Sequence, residues 1–126
     1  MDNQPKPQRR VCLLSELPDP GSKAFVLGTG DWPLRGFVVR QQGQVYAYLN
    51  RCPHARHPLN WTPDGFLSAD RSLIQCSSHG AQFAIATGAC MGGPCKGTAL
   101  RSLPIEVQGD QVMLLEDPDQ LAETVW

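Results

Sequence analysis

The sequence predicts an all-β domain of short antiparallel strands, and three observations carry that expectation. The 12 glycines and 11 prolines cluster between short apolar runs, the punctuation of a turn-rich β protein. Those runs favour Val, Ile, Phe and Tyr, and they pair around glycine turns as hairpins do. At 126 residues, with 41% apolar and 18% charged residues, the chain is sized for one domain with a genuine core, not for two.

Residues 1–10 are polar and proline-bearing and read as a flexible tail. Residues 11–14 form a first strand. Ser15-Glu16-Leu17-Pro18-Asp19-Pro20-Gly21 reads as a turn, with room for one helical turn capped by Ser15 and stopped by proline. Residues 24–27 form a short strand, and Gly28-Thr29-Gly30-Asp31-Trp32-Pro33 follows as a loop. That loop begins like G-x-G-x-x-G but ends in proline and opens no helix, so it is not a dinucleotide fingerprint.

Residues 36–40 and 45–49 are β-rich runs around Gln41-Gln42-Gly43-Gln44, a hairpin signal. Residues 66–67 and 72–75 form a second hairpin through Asp70-Arg71. Residues 82–85 and 89–91 make a third pair around Ala86-Thr87-Gly88, and residues 92–97 are a loop. Residues 103–107 and 111–115 form the last hairpin, with Ile105 and Val107 alternating with Glu106 as on a half-buried strand. Residues 116–126 read as a loose C-terminal tail.

Composition also excludes function classes. A formal net charge of −1 gives no long-range argument for nucleic acid or membrane binding. No apolar run approaches the length of a membrane span. The first ten residues lack a signal peptide's apolar core, and Arg9-Arg10 is not followed by the apolar segment of a twin-arginine signal. The expected location is the cytoplasm. Five cysteines are an odd number, which argues against a pure disulfide framework.

The chemistry concentrates between Cys52 and His79. Cys52-Pro53-His54 is followed, after 21 intervening residues, by Cys76-Ser77-Ser78-His79. Each strand that ends just before a motif can hold one sulfur and one imidazole donor on a rigid edge. Two cysteines and two histidines suit a transition metal. They suit either a tetrahedral structural zinc or a Rieske 2Fe-2S cluster, with two Cys on one iron and two His on the other.

The residues around these motifs are similar to one family. Cys52-Pro53-His54-Ala55-Arg56-His57-Pro58-Leu59 resembles the Rieske loop C-P-H-x-x-x-x-L, and Cys76-Ser77-Ser78-His79-Gly80-Ala81-Gln82-Phe83 resembles C-x-x-H-G-x-x-F. Thr87-Gly88 and Gly92-Gly93-Pro94 are similar to the turn and covering segment that follow in that family. The resemblance implies the Rieske fold: stacked small antiparallel sheets, with the cluster on two loops of a cluster-binding part at about residues 50–98. A single Rieske domain would then span residues 11–115. It also implies that Cys52 and Cys76 bind the inner iron and His54 and His79 the outer one, with the far edge of each imidazole as electron exit and docking face.

Departures from the high-potential branch of the family carry information. Those proteins bear an extra cysteine in each ligand loop, joined as a disulfide, and serine and tyrosine hydroxyls against the cluster sulfurs. This chain has His57 and Ser78 at the cysteine positions, Ala81 for the serine and Phe83 for the tyrosine. Each change removes a feature that favours the reduced cluster, so the resemblance is to the low-potential ferredoxins and oxygenases.

The remaining candidates have plainer readings. His57 is expected as a surface residue of the ligand loop. Arg51 and Arg56 either guide an acidic partner or are ordinary solvated charges. Cys12, Cys90 and Cys95 have free thiols as their default reading, with a disulfide from Cys90 to Cys95 the alternative where the Cα separation suits it. Leu59, Trp61, Phe66 and Phe83 read as core or cluster-shielding residues.

The implied function is a one-electron carrier with no catalysis of its own, accepting electrons from a flavin reductase and passing them to a terminal oxygenase. Only His57 is left to build a mononuclear iron site, so this chain is not expected to be the oxygenase itself. The alternatives are a small subunit of a larger redox enzyme such as a nitrite reductase, or a zinc-stabilised binding module.

Overall fold

The computed structural model describes residues 9–28, 33–51, 58–60, 64–77, 80–93 and 97–125. Within them, nine strands form three three-stranded antiparallel sheets. Strands β1 (Arg10–Leu13), β9 (Gln111–Leu114) and β8 (Ile105–Gln108) make the first sheet, in that order. The second is β2 (Gly21–Leu27), β3 (Leu34–Gln41) and β4 (Gln44–Leu49); the third is β5 (Leu73–Gln75), β6 (Gln82–Ala84) and β7 (Cys90–Gly92). A single 3-10 turn, Leu14–Glu16, follows β1, as the sequence allowed. Its cap is the Glu16 carboxylate, which accepts the Leu13 backbone N–H at 2.7 Å, rather than Ser15.

The middle sheet separates two apolar cores. Successive side chains on a strand point to opposite faces. On β3, Leu34 and Val38 join one core with Val11, Phe25, Val112 and Leu114. Phe37 and Val39 join the other with Leu59, Phe66, Ile74 and Phe83. Burial on both faces explains the unbroken apolar run Phe37-Val38-Val39, where a half-exposed strand would alternate. The β3–β4 turn has φ of 53° at Gln42 and 78° at Gly43, the left-handed pair that a two-residue hairpin turn requires. The Asp19 carboxylate accepts both of their backbone N–H groups, at 2.9 and 2.8 Å.

Tyr48 ties the third sheet to the second. Its buried hydroxyl donates to the Ile85 carbonyl at 2.6 Å. Its ring lies so close to Gly88 that a Cβ there would sit 2.8 Å from it. Burial pushes the Tyr48 phenol up to about 12, with Tyr46 adding to the shift, so the hydroxyl remains a donor at neutral pH.

The C-terminal segment differs from the loose tail expected at 116–126. Pro118–Val125 is an α-helix that buries Leu121 and Ala122 in the first core. The Asp117 side chain accepts the Asp119 N–H at 2.9 Å, and the proline stands at the first helical position. At the other end, the first strand begins at Arg10, a residue assigned above to the tail. Among the described residues, no helix is long and apolar enough to cross a membrane.

Candidate metal centre

The second ligand motif is the better described half of the site. Strand β5 ends at Gln75 and delivers Cys76, whose solvent exposure is 0%. The turn closes on itself: the Cys76 N–H donates to the Ala81 carbonyl at 2.8 Å, and the Gly80 N–H to the Cys76 carbonyl at 3.0 Å. Gly80 takes φ of 73°, a left-handed conformation that favours glycine. The chain then re-enters the sheet as β6, with Ile74 opposite Phe83. The hairpin feeding β5 is held by Asp70, whose carboxylate accepts from the Ser68 and Ser72 hydroxyls and the Ser72 N–H. These bonds, chiefly from Ser72, hold its pKa below the usual carboxylate value. Leu67 makes only an isolated bridge to Ile74, so the expected second hairpin is shorter on that arm.

Gly93, from the segment the family pattern gives a covering role, packs on the second ligand turn. The Gly93 backbone packs so closely on the second ligand turn that a Cβ would lie 3.0 Å from the Gly80 carbonyl oxygen and from the Ala81 Cα. Its φ of 83° adds a second reason for glycine. A hollow of about 250 Å³ lies alongside, lined by Cys90, Met91, Gly92, Gly93 and Gly97. Met91 is 61% exposed there.

The first ligand loop is described only at its ends. Arg51 follows β4 with its N–H on the Leu49 carbonyl at 2.9 Å, and the chain is described again from Pro58. Leu59 is fully buried, and its carbonyl accepts the Ser77 N–H at 2.8 Å, joining the exit of the first loop to the second ligand turn. Asn50 had no part in the reading of the motifs, yet its side chain closes the base of this loop. An Asn at the end of an apolar strand, next to a loop that must be held, is the signal that could have found it.

Of the four expected ligands, only Cys76 is described; Cys52, His54 and His79 lie outside the described residues, as do His57, Arg56, Trp61, Ser78, Pro94 and Cys95. The described residues alone bring together no group of three or more metal-binding side chains. The described donor nevertheless fits a cluster kept from water. A sulfur with no exposed surface sits among Leu59, Ile74, Ala81 and Phe83, and apolar surroundings of this kind are a lever on redox potential. The residues expected to shield the site, Leu59, Phe66 and Phe83, are all fully buried in that core.

The other cysteines divide. Cys12 is buried in the first core, and burial, with Glu16 second, pushes its thiol up to about 11, which makes it an unreactive apolar residue. Cys90 is disulfide-bonded, which corrects the expectation of a free thiol there. Spacing could show that a bond was feasible; whether the backbone closes the gap is a property of the fold.

Comparison with known proteins agrees with this geometry. The Rieske [2Fe-2S] domain pattern matches residues 8–105. The chain is 27% identical over 110 residues to the 3-phenylpropionate/cinnamic acid dioxygenase ferredoxin subunit of Photorhabdus laumondii, covering 87% of this chain and 95% of that one. It is 32% identical over 103 residues to ferredoxin CarAc of Metapseudomonas resinovorans, covering 82% and 88%. Among solved structures, the ferredoxin of carbazole 1,9a-dioxygenase from Nocardioides aromaticivorans superposes with a TM-score of 0.67 at 28% identity, covering 86% of this chain and 96% of that one. The chain belongs to the Rieske [2Fe-2S] domain family, it is of the ferredoxin type, and its cofactor is the cluster for which that domain is named.

Proposed function

We propose that Cys52, His54, Cys76 and His79 hold the 2Fe-2S cluster, and that the chain carries single electrons from a flavin-dependent reductase to a terminal oxygenase in the cytoplasm. The observation that carries this is Cys76: a fully buried sulfur donor at the tip of a strand, on a turn hydrogen-bonded to the exit of the first ligand loop. The oxygenase partner is supported by the relatives, which are ferredoxins of dioxygenase systems. The domain is taken to reach from Arg10 through the docked helix Pro118–Val125, wider than the expected 11–115, with its cluster-binding part at about 50–98.

Held there, the cluster would supply reversible one-electron chemistry. The chain's own residues keep water from its sulfur side and fix the two ligand turns relative to each other. They also set the potential. Ala81 and Phe83 are fully buried and carry no hydroxyl to donate to a cluster sulfur. Replacing two thiolates by neutral imidazoles raises a cluster's potential, while losing hydrogen bonds to sulfur lowers it again. The midpoint is therefore expected near the bottom of the Rieske range, at roughly −150 mV. A potentiometric titration tests this; a clearly positive midpoint at neutral pH would contradict it.

A further inference from the structure

We propose that Asn50 is a positioning residue for the cluster, holding the two ligand loops in register through one side chain. The inference rests on the ligand assignment above and goes beyond it. Asn50 is the last residue before the first ligand loop is entered through Arg51. Its backbone N–H donates to the Arg35 carbonyl at 2.9 Å, which anchors it to β3. Its side-chain oxygen accepts the Leu59 N–H at 2.9 Å, and its amide nitrogen donates to the Asn60 side-chain oxygen at 3.0 Å. Entry and exit of the first loop are thereby tied at one point. The same Leu59 passes the constraint on, since its carbonyl accepts the Ser77 N–H beside Cys76. A continuous path of hydrogen bonds thus runs from β3 through Asn50 and Leu59 to the second ligand turn.

The chemistry required at position 50 is specific. The side chain must accept from one partner and donate to another, which a carboxamide does in a single rigid plane. An apolar side chain of similar size leaves the part-buried Leu59 N–H without its acceptor, and an unmade hydrogen bond of this kind costs more than a made one gains. An aspartate keeps the acceptor for Leu59 and gives up only the donor to Asn60.

The test uses the holo-protein with an iron chelator, with loss of visible absorbance followed in time. Asn50→Leu should lose its cluster about tenfold faster than the parent. Its reduced paramagnetic resonance g values should shift, a change that a general loss of stability would not cause. Asn50→Asp, which keeps the Leu59 acceptor and loses only the Asn60 donor, should bleach more slowly than Asn50→Leu and show a smaller g shift. If Asn50→Leu does not accumulate as folded protein, Asn60→Ala takes its place, with bleaching about threefold faster. Parental bleaching and g values in Asn50→Leu, or a parental rate in Asn60→Ala, would overturn the proposal. Failure of the underlying reading is recognised separately, because the parent protein itself would then lack the mixed-ligand signal.

Discussion

Cys76→Ala protein is expected to be colourless and to bind at least tenfold less iron per chain, while keeping the β-sheet circular dichroism of the parent. Changes to groups that merely orient metal ligands already cost roughly 10–100-fold in metal affinity, and here one of two sulfur donors is lost. The fold should survive, because both apolar cores are made by other side chains: Phe37, Tyr48, Phe66 and Phe83 in one, Leu34, Val38, Val112 and Leu114 in the other. Alanine also suits a position with no exposed surface beside Ala81. Iron analysis with visible and far-ultraviolet spectra checks both halves. Retained colour and iron would remove Cys76 from the ligand set.

Phe37→Ala should have the largest effect on stability, lowering the free energy of unfolding by about 3–5 kcal/mol. Phe37 is fully buried on the central strand. Its ring stacks on Phe66 with centroids 4.3 Å apart and 6° between planes, and it meets Tyr48 at 5.9 Å. Phe66 lies on the segment leading to β5, so the cavity would open beneath the hairpin that delivers Cys76. Denaturant unfolding measures the loss. Val107→Ala, at an exposed position of β8, is the control and should change stability by no more than about 0.5 kcal/mol. Equal effects of the two substitutions would show that the aromatic stack does not hold the sheets together.

What could be read from the chain follows from what local chemistry decides. Hairpins announced by two-residue turns, such as Gln42-Gly43 and Gly109-Asp110, form where expected because the required φ values select glycine and its neighbours. Gly93 packs where the family pattern put a covering segment, and its close backbone approach to Gly80 and Ala81 excludes any side chain. The helix Pro118–Val125 was not readable: eight residues are too few to form a helix by propensity, and Leu121 and Ala122 become helical by docking on a core assembled elsewhere. Asn50 offered only its place at a strand end as a signal, because its partners at 59 and 60 lie across a loop whose closure only the fold determines. The Cys90 disulfide belongs to the same class. Local rules thus locate the ligand motifs on strand ends, whereas the contacts that hold the two loops together are tertiary.

The most direct test of the central claim is electron paramagnetic resonance of the dithionite-reduced protein. Two imidazoles and two thiolates on one diiron cluster predict a rhombic signal whose average g lies below that of a cluster with four thiolates. A spectrum at the four-thiolate position, or zinc in place of iron in freshly prepared anaerobic protein, would contradict it.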